Sequence, residues 1–341
     1  MIFRDPPLIL EETRLRDGRG VIELSDLPDP QPAHPRRPRN ATPLLERLWR
    51  IALCDVERNI VKTPTGVYFG AGASFGAKVF TRDIAFSGVL ALHQLYPDIL
   101  RASLDYTLRL RMELGFRAPR AYIVPEIQAP WREYPGDENA FVQEWGTNNL
   151  MRRTDDVVRF WALGAMAERA ASSAEWAALR VVGERCFREL YDPFYDPETG
   201  LYRGQASFID VPFDTPRYQA NGYPAGWGIA DALLQKATST NALYVHALRL
   251  MARAAAETGD GVESGRWAAR ADALAGAMRD RLRRPDGVFE MYLDRHNRPA
   301  GRVEALGTGL AVLLGVVEGD AARAAVAALP VTAMGVPLFA P

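Results

Sequence analysis

Cysteine and histidine are scarce in this chain. Its 341 residues include two cysteines and four histidines, and none of them lie at a spacing typical of metal ligands. Cys54 and Cys186 fall within apolar helical patterns. Such positions indicate small buried side chains rather than a disulfide framework. We therefore expect neither a disulfide-stabilised fold nor a cysteine-based metal site.

The sequence also lacks a basic excess and a long apolar run. Its 41 Lys and Arg residues balance 42 Asp and Glu residues, so nucleic acid is not an expected partner. We interpret the one basic cluster, Arg36, Arg37 and Arg39, as part of a solvated linker. No apolar run reaches the roughly 18 residues of a membrane span, and the N-terminus does not have the form of a signal peptide. The expected location is the cytoplasm, without membrane contact. The sequence does not indicate an oligomeric state.

Proline density separates the first 40 residues from the rest of the chain. Residues 21–24 alternate as in a short strand, and the prolines of residues 32–38 favour extended chain over helix. Residues 1–40 are therefore predicted to form an extended or β segment followed by a proline-rich linker. Thr42 and Pro43 form a helix start, so a second domain is predicted over residues 41–341.

Amphipathic helical patterns fill this second domain. Apolar spacing predicts about ten helices in hairpin-like pairs, for example at residues 240–258 and 263–283. Two long loops, at residues 116–147 and 195–227, are rich in aromatic and polar side chains. No tandem repeat of fixed period occurs, which favours a closed ring of helical hairpins over a solenoid.

Charged residues at predicted helix starts are the first candidates for a functional site. Arg82 and Asp83 open one helix, Asp155 and Asp156 stand near the start of another, and Glu304 opens a third. An acid in the first turn has an ordinary explanation, because it is stabilised by the helix dipole. If these groups face a cleft instead, their guanidinium and carboxylate groups are suited to bind sugar hydroxyls.

The loops supply candidates for the wall of such a cleft. A sugar has C–H faces that stack on flat aromatic rings and hydroxyl edges that need polar partners. The aromatic candidates are Trp131, Trp145, Tyr202, Phe208 and Trp227. The polar candidates nearby are Asp210 and, at the start of the next helix, Asn241. A packed surface Ω-loop and a simple helix cap are the alternative interpretations.

Four motifs in order carry a resemblance to a known family. They are Thr81-Arg82-Asp83, the loop from residue 200 to Asp210, residues 239–244, and Glu304-Ala305-Leu306-Gly307. Over residues 42–341 the sequence resembles the six-hairpin (α/α)6 glycosidases, the bacterial relatives of the trehalase, glucosidase and debranching clans. The resemblance implies a mainly α fold, an (α/α)6 toroid, with a carbohydrate substrate and no cofactor. It also implies that glycosidic bonds of an oligosaccharide or glycoconjugate are hydrolysed with inversion by two carboxyl groups.

The resemblance further implies a role for each carboxyl group. Asp210 would be the general acid, its pKa raised by the aromatic loop, and Glu304 the base. A complete toroid needs twelve helices and relatives continue past the position of Pro341, so an incomplete ring is expected. Two alternatives stay open. One is a sugar epimerase or lyase on the same toroid, with Tyr244 or His246 as base. The other is a non-catalytic helical carbohydrate-binding or scaffold protein.

Overall fold

The computed structural model describes residues 9–11, 13–17, 20–70, 72, 79–117, 153–208, 223–224, 227, 231 and 234–340. The chain forms two compact units, Met1–Ala77 and Lys78–Pro341. The division by compactness thus falls after Ala77, whereas the amino-acid composition changes after residue 40.

The first unit contains a small antiparallel sheet, one helix and a hairpin. Its elements are β1 Ile9–Leu10, β2 Arg14–Asp17, β3 Gly20–Glu23, α1 Pro43–Arg58, β4 Ile60–Thr63 and β5 Gly66–Phe69. The strands pair in the order β1-β2-β3, and β4 pairs with β5. The predicted start of α1 is confirmed, because the Thr42 hydroxyl accepts a hydrogen bond from the Leu45 amide and Pro43 follows it.

The proline-rich segment of this unit packs along α1. Three side chains of α1 donate hydrogen bonds to its carbonyl groups: Arg47 Nη2 to Pro28 at 2.6 Å, Arg50 Nε to Pro30 at 3.0 Å and Trp49 Nε1 to Arg36 at 3.0 Å. An extended segment leaves its carbonyl groups unpaired, and the helix satisfies them. Arg36, Arg37 and Arg39 are nevertheless exposed, as the interpretation of this basic cluster as solvated requires, and the role of the segment as a linker stays a prediction.

The second unit is built from helical hairpins. Its helices are α2 Thr81–Ser87, α3 His93–Leu95, α4 Pro97–Arg117, α5 Arg153–Ala170, α6 Ser173–Cys186, α7 Thr238–Glu257, α8 Gly261–Arg281, α9 Ala305–Leu313 and α10 Gly319–Ala327. A π-helical turn, Gly88–Leu92, joins α2 to α3. A second π-helical turn, Phe187–Tyr191, leads from α6 into a 3-10 turn at Asp192–Phe194.

Short antiparallel strand pairs connect these hairpins. β6 Tyr195–Asp196 pairs with β7 Leu201–Tyr202, β8 Lys236–Ala237 with β9 Tyr292–Leu293, and β10 Val303–Glu304 with β11 Phe339–Ala340. Each pair is two residues long, so the strands fix the ends of the helices and do not form a core of their own.

The helices form an inner and an outer row. The first helices of successive hairpins, α2, α5, α7 and α9, pack side by side in that order. The second helices, α4, α6, α8 and α10, each pack against the first helix of their own hairpin. Two rows of this kind are the arrangement of an (α/α) toroid, so the predicted mainly α fold class is confirmed. Within the described ranges, no helix combines the length and apolar character needed to cross a bilayer.

Candidate active site

Buried polar side chains concentrate at the N-terminal end of α7. Three of them, Ser239, Thr240 and Asn241, are inaccessible to solvent. Each forms a hydrogen bond to the backbone of β7 or of the residues that directly follow β7. Ser239 Oγ accepts from the Ser207 amide at 2.9 Å, and Thr240 Oγ1 donates to the Gln205 carbonyl at 2.5 Å. Short polar side chains near a helix start readily bond to nearby backbone in this way. The first turn of α7 therefore fixes residues 202–207 beside it.

Asn241 serves this structural purpose and does not face a cleft. Its Oδ1 accepts from the Tyr202 amide at 2.7 Å. Its Nδ2 donates to the carbonyls of Tyr202 and Ala237, both at 2.9 Å. Both amide hydrogens are therefore used inside the protein. The prediction that Asn241 binds sugar hydroxyls is corrected on this ground.

Glu304 stands at the end of β10, where α9 begins, and its side chain is 0% exposed. Neither carboxyl oxygen makes a hydrogen bond of standard geometry to the described residues. The hydroxyl and main-chain amide of Ser239 face the carboxyl group. Burial raises the pKa of Glu304 to about 8, and the nearby Ser239 groups offset this effect only in part. The carboxyl group therefore holds a proton at neutral pH.

Gly307 allows this close packing of α9 against α7. A Cβ atom at Gly307 would lie 2.6 Å from Glu304 Oε2 and 3.2 Å from the Ser239 nitrogen. Non-bonded atoms do not approach a Cβ that closely without a shift of the neighbours. The glycine in the Glu304-Ala305-Leu306-Gly307 motif thus has a steric explanation: a side chain at this position would have to displace the buried carboxyl group.

Arg82 and an aromatic pair adjoin the same end of α7. Phe208 follows Ser207, has a φ of +59° and is 41% exposed. The guanidinium carbon of Arg82 lies 4.5 Å from the centre of the Phe208 ring, a cation–π distance. Phe86, one turn after Arg82 on α2, has its ring centre 5.1 Å from that of Phe208. The structure therefore brings Arg82, Phe208 and, through Ser207 and Ser239, Glu304 into one neighbourhood.

The row of rings continues to a histidine on α7. The Trp161 ring centre lies 5.8 Å from that of Phe86 and 5.8 Å from that of His246. His246 follows Ser239 by seven residues, which is about two helical turns, so both face the same side of α7. Burial, together with the charge of Arg249, lowers the pKa of His246 to about 4. Its imidazole is therefore neutral at neutral pH.

Sequence reasoning did not select Phe86 or Trp161 as site residues. One signal for Phe86 was present, because it follows Arg82 by four residues and therefore lies on the same face of α2. Trp161 stands in the middle of α5, where an aromatic residue looks the same in the sequence whether it faces a cleft or the core.

Tyr202 faces another side of α7 than Ser239 and Glu304, and the prediction that it walls a cleft with Glu304 is corrected on this ground. Its ring stacks on Tyr244 at 4.1 Å with an angle of 16°, and its hydroxyl donates to Asp192 Oδ1 at 3.1 Å. Tyr244 follows Ser239 by five residues, or about 140° of helical rotation, so this stack is on another side of α7.

Trp227 belongs to a packed aromatic stack behind the site. Its ring centre lies 5.3 Å from that of Tyr223 and 4.9 Å from that of Tyr292. The same cluster contains Ala206 and Ala237, which directly precede Ser207 and the start of α7. Trp227 therefore supports the chain that carries the site, and we assign it a packing role.

The remaining predicted residues are only partly described. Asp83 is half-buried in the first turn of α2. Asp155 and Asp156 stand in the first turn of α5, as expected, but only their backbone is described. Asp210, Trp131 and Trp145 lie outside the described residues. In the part of the chain that is described, no group of three or more His, Cys, Asp or Glu side chains is placed to hold a metal ion.

Comparison with known proteins gives matches at the level of solved structures. No protein-family model and no curated protein sequence matches the chain. A GH78-family rhamnosidase from a Bacillus species aligns at 21% identity and a TM-score of 0.41, over 52% of this chain and 17% of the rhamnosidase.

Two epimerases also align. A sugar epimerase from a ruminal bacterium aligns at 15% identity and a TM-score of 0.47, over 84% of this chain and 71% of its own. A cellobiose 2-epimerase from Bacillus thermoamylovorans aligns at 11% identity and a TM-score of 0.44, over 82% and 68%. At these identities and TM-scores, the similarity does not indicate an activity for this chain.

Proposed function

We propose that this protein is a carbohydrate-active enzyme that hydrolyses glycosidic bonds, with Glu304 as the proton donor. One observation carries this proposal: the carboxyl group of Glu304 is fully buried where α9 begins, facing Ser239 in the first turn of α7, and this burial raises its pKa to about 8. A glycosidase needs a carboxyl group that is still protonated at its working pH, so that it can protonate the leaving oxygen. A group that is already protonated does not accept a proton from water. The proposal therefore gives Glu304 the acid role and not the base role that the resemblance implied.

The surroundings of Glu304 support a sugar as the substrate. Phe208 has an exposed ring, and Phe86 and Trp161 continue the row of rings along the same side of the inner helices. Aromatic faces of this kind stack on the C–H faces of a sugar. Arg82 places a positive charge beside the Phe208 ring, where it favours electron-rich oxygen atoms.

The proposed reaction needs one further carboxylate. Glu304 gives its proton to the glycosidic oxygen while the bond from that oxygen to the anomeric carbon breaks. Water adds to the opposite face of the anomeric carbon, so the configuration of that carbon is inverted. The water gives a proton to the second carboxylate as it adds. Exchange with solvent then restores both groups. We propose Asp210, two residues after Phe208 in the sequence, as this base. Because Glu304 is fully buried, the mechanism includes an opening step that admits the substrate.

The dependence of the rate on the leaving group tests the role of Glu304. A panel of methyl and 2,4-dinitrophenyl glycosides of common hexoses and deoxyhexoses would first identify a hydrolysed sugar. With Glu304→Gln, kcat/KM for the methyl glycoside should fall by about 10²–10⁴-fold, the usual contribution of a general acid. The dinitrophenyl glycoside should lose less than about tenfold, since that leaving group needs no proton.

Other outcomes of this experiment would refute the proposal. An equal loss on both substrates would show that Glu304 is not the proton donor, and no loss would show that it takes no part. If the unmodified chain hydrolyses none of the glycosides, hydrolysis itself is refuted. Glu318→Gln, a matched change at an exposed glutamate, should leave both rates unchanged.

A sugar epimerase is the second candidate, and His246 is the observation that favours it. Its imidazole contacts Trp161 and is neutral at neutral pH, so it can accept a proton from a sugar carbon, acting as a weak base because of the lowered pKa. Tyr244, the other base considered from the sequence, stacks on Tyr202 on another side of α7 than Ser239 and His246, so it does not belong to the row of rings beside Glu304.

NMR of the products in D2O separates the two activities. Hydrolysis releases a new reducing end and introduces no deuterium at a ring carbon. Epimerisation by proton removal gives an isomer of the substrate with deuterium at the inverted carbon, and that result would replace the hydrolase proposal.

A further inference from the structure

A pocket unrelated to Glu304 lies between β6, β7 and α8. It has a volume of about 350 Å³ and is lined by Asp192, Tyr195, Tyr202, Leu248, Arg270 and Leu274. Pockets of about 300–1,000 Å³ are the usual size for small-molecule sites. Leu248 follows Ser239 by nine residues, which is two and a half turns, so this pocket faces the side of α7 opposite to Ser239.

The polar groups of the pocket are already held in place by their neighbours. Arg270 Nη2 donates to Asp192 Oδ1 at 2.5 Å and to the Tyr202 hydroxyl oxygen at 3.0 Å. The guanidinium carbon also lies 4.7 Å from the Trp267 ring centre. A ligand therefore meets side chains that need little further ordering, which favours binding.

Both charged groups keep unused bonding capacity. A guanidinium has five N–H donors, and Arg270 Nε and Nη1 make no hydrogen bond to the described part of the chain. Asp192 uses Oδ1, while its Oδ2 has no partner among the residues described. The side chains of Arg270 and Asp192 are 39% and 41% exposed. Both groups are thus open to a ligand that carries donors and acceptors together.

Tyr195 adds a flat surface at the rim of the pocket. It is 39% exposed, and its ring centre lies 5.3 Å from that of Tyr202 in an edge-on contact. A sugar matches this combination: its hydroxyl oxygens accept from Arg270, its hydroxyl hydrogens donate to Asp192, and its C–H face packs on the ring. An anionic ligand is disfavoured, because the Asp192 carboxylate stands directly beside the guanidinium.

We propose that this pocket is a second, non-catalytic binding site for one neutral sugar residue. The proposal goes beyond the proposed hydrolysis and does not depend on it, because none of the lining residues touches Glu304, Ser239 or Phe208 in the contacts described. Its ligand can be the end of a longer carbohydrate or a free monosaccharide, and titrations with a monosaccharide and with an oligosaccharide of the same sugar distinguish the two.

Saturation-transfer NMR on the full chain tests this site. The probes are glucose, galactose, mannose, xylose and rhamnose, with glucuronate as the anionic counterpart, and Glu304→Gln is present throughout to prevent turnover. At least one neutral sugar should bind. Tyr195→Ala should weaken its affinity by about tenfold because the stacking surface is lost, whereas Tyr195→Phe, which keeps the ring, should bind nearly as well as the parent.

The controls keep the test decisive. Asp192→Asn removes the carboxylate with little change of shape and should also weaken binding, and thermal unfolding shows whether each variant is folded. The proposal is overturned if no neutral sugar shows an affinity that depends on Tyr195, or if glucuronate binds more tightly than every neutral sugar. Turnover of a dinitrophenyl glycoside by Tyr195→Ala without the Glu304 change should be unaltered, so a failure of this site and a failure of the proposed hydrolysis give different results.

Discussion

The buried carboxyl group of Glu304 should make folding stability depend on pH in a way that glutamine abolishes. Glu304→Gln keeps nearly the size and shape of the side chain and replaces the titrating carboxyl group with an amide that does not titrate. In the unfolded chain the group has its ordinary pKa of 4.5, and burial raises the pKa to about 8 in the folded protein. Between these two pH values the folded state binds a proton that the unfolded state has lost.

The sign and the size of the effect follow from this difference. The contribution of Glu304 is fully favourable below about pH 4.5 and is lost as the pH rises through about 8. Within that window the free energy of unfolding falls by about 1.4 kcal/mol per pH unit from this group alone. Between pH 5 and pH 7 the cumulative loss is therefore about 3 kcal/mol. The glutamine variant does not show this loss.

Urea unfolding at pH 5, 6 and 7 measures the effect. The free energy of unfolding of Glu304→Gln minus that of the unmodified protein should rise by about 3 kcal/mol over this range. All other titrating groups are shared, so their contributions cancel in the difference. Glu318→Gln, a matched change at an exposed site, is the control, because substitutions at exposed sites usually change stability by no more than about 0.5 kcal/mol. A flat difference for Glu304→Gln would refute the raised pKa and, with it, the acid role.

Three further substitutions, the first with a matched control, have expected outcomes of their own. Gly307→Ala places a methyl group against the buried carboxyl group and should lower the free energy of unfolding by about 1–3 kcal/mol. The control, Gly309→Ala, has open space around it and should be neutral or slightly stabilising. Equal melting temperatures for the two variants would contradict the steric argument. Asn241→Ala leaves buried backbone groups without partners and should lower the free energy of unfolding, measured in urea, by about 2–4 kcal/mol, while KM for a hydrolysed glycoside stays the same. A raised KM at unchanged stability would restore a substrate-binding role. Lys236→Met removes an ammonium group that lies 3.2 Å from the buried Asp196 carboxylate and should lower the free energy of unfolding by about 3 kcal/mol. A variant as stable as the unmodified protein in the same assay would show that the ion pair contributes little.

The helical framework was predictable because apolar spacing is a local property of the sequence. The helices predicted at residues 240–258 and 263–283 are α7 Thr238–Glu257 and α8 Gly261–Arg281, each displaced by about two residues. The buried residues of α7 recur at helical spacing, and a chain read alone contains that pattern. The packing of the proline-rich segment along α1 was not predictable in this way, since it rests on side chains of a helix that starts several residues later.

The candidate site was predictable only in part, because the sequence does not show in which direction a side chain points. The residue types and helix-start positions of Glu304 and Arg82 suggested them as candidates, and they stay predictions; the role proposed for Glu304 depends on a burial that only the packing of α9 on α7 reveals. Asn241 and Tyr202 are residue types that often line sugar sites, yet here the side-chain amide of Asn241 binds the backbone of Tyr202. A polar residue at a helix start looks the same whether it holds a neighbouring strand or faces a substrate.

The protonation state of Glu304 at neutral pH is the central claim, and carbon NMR of the full chain with ¹³C-labelled glutamate measures it directly. We predict one side-chain carboxyl resonance that titrates with a midpoint near pH 8 and is missing from the spectrum of Glu304→Gln. If every glutamate resonance titrates below about pH 5.5, the ordinary range for this side chain, then Glu304 is ionised at neutral pH and is not the proton donor.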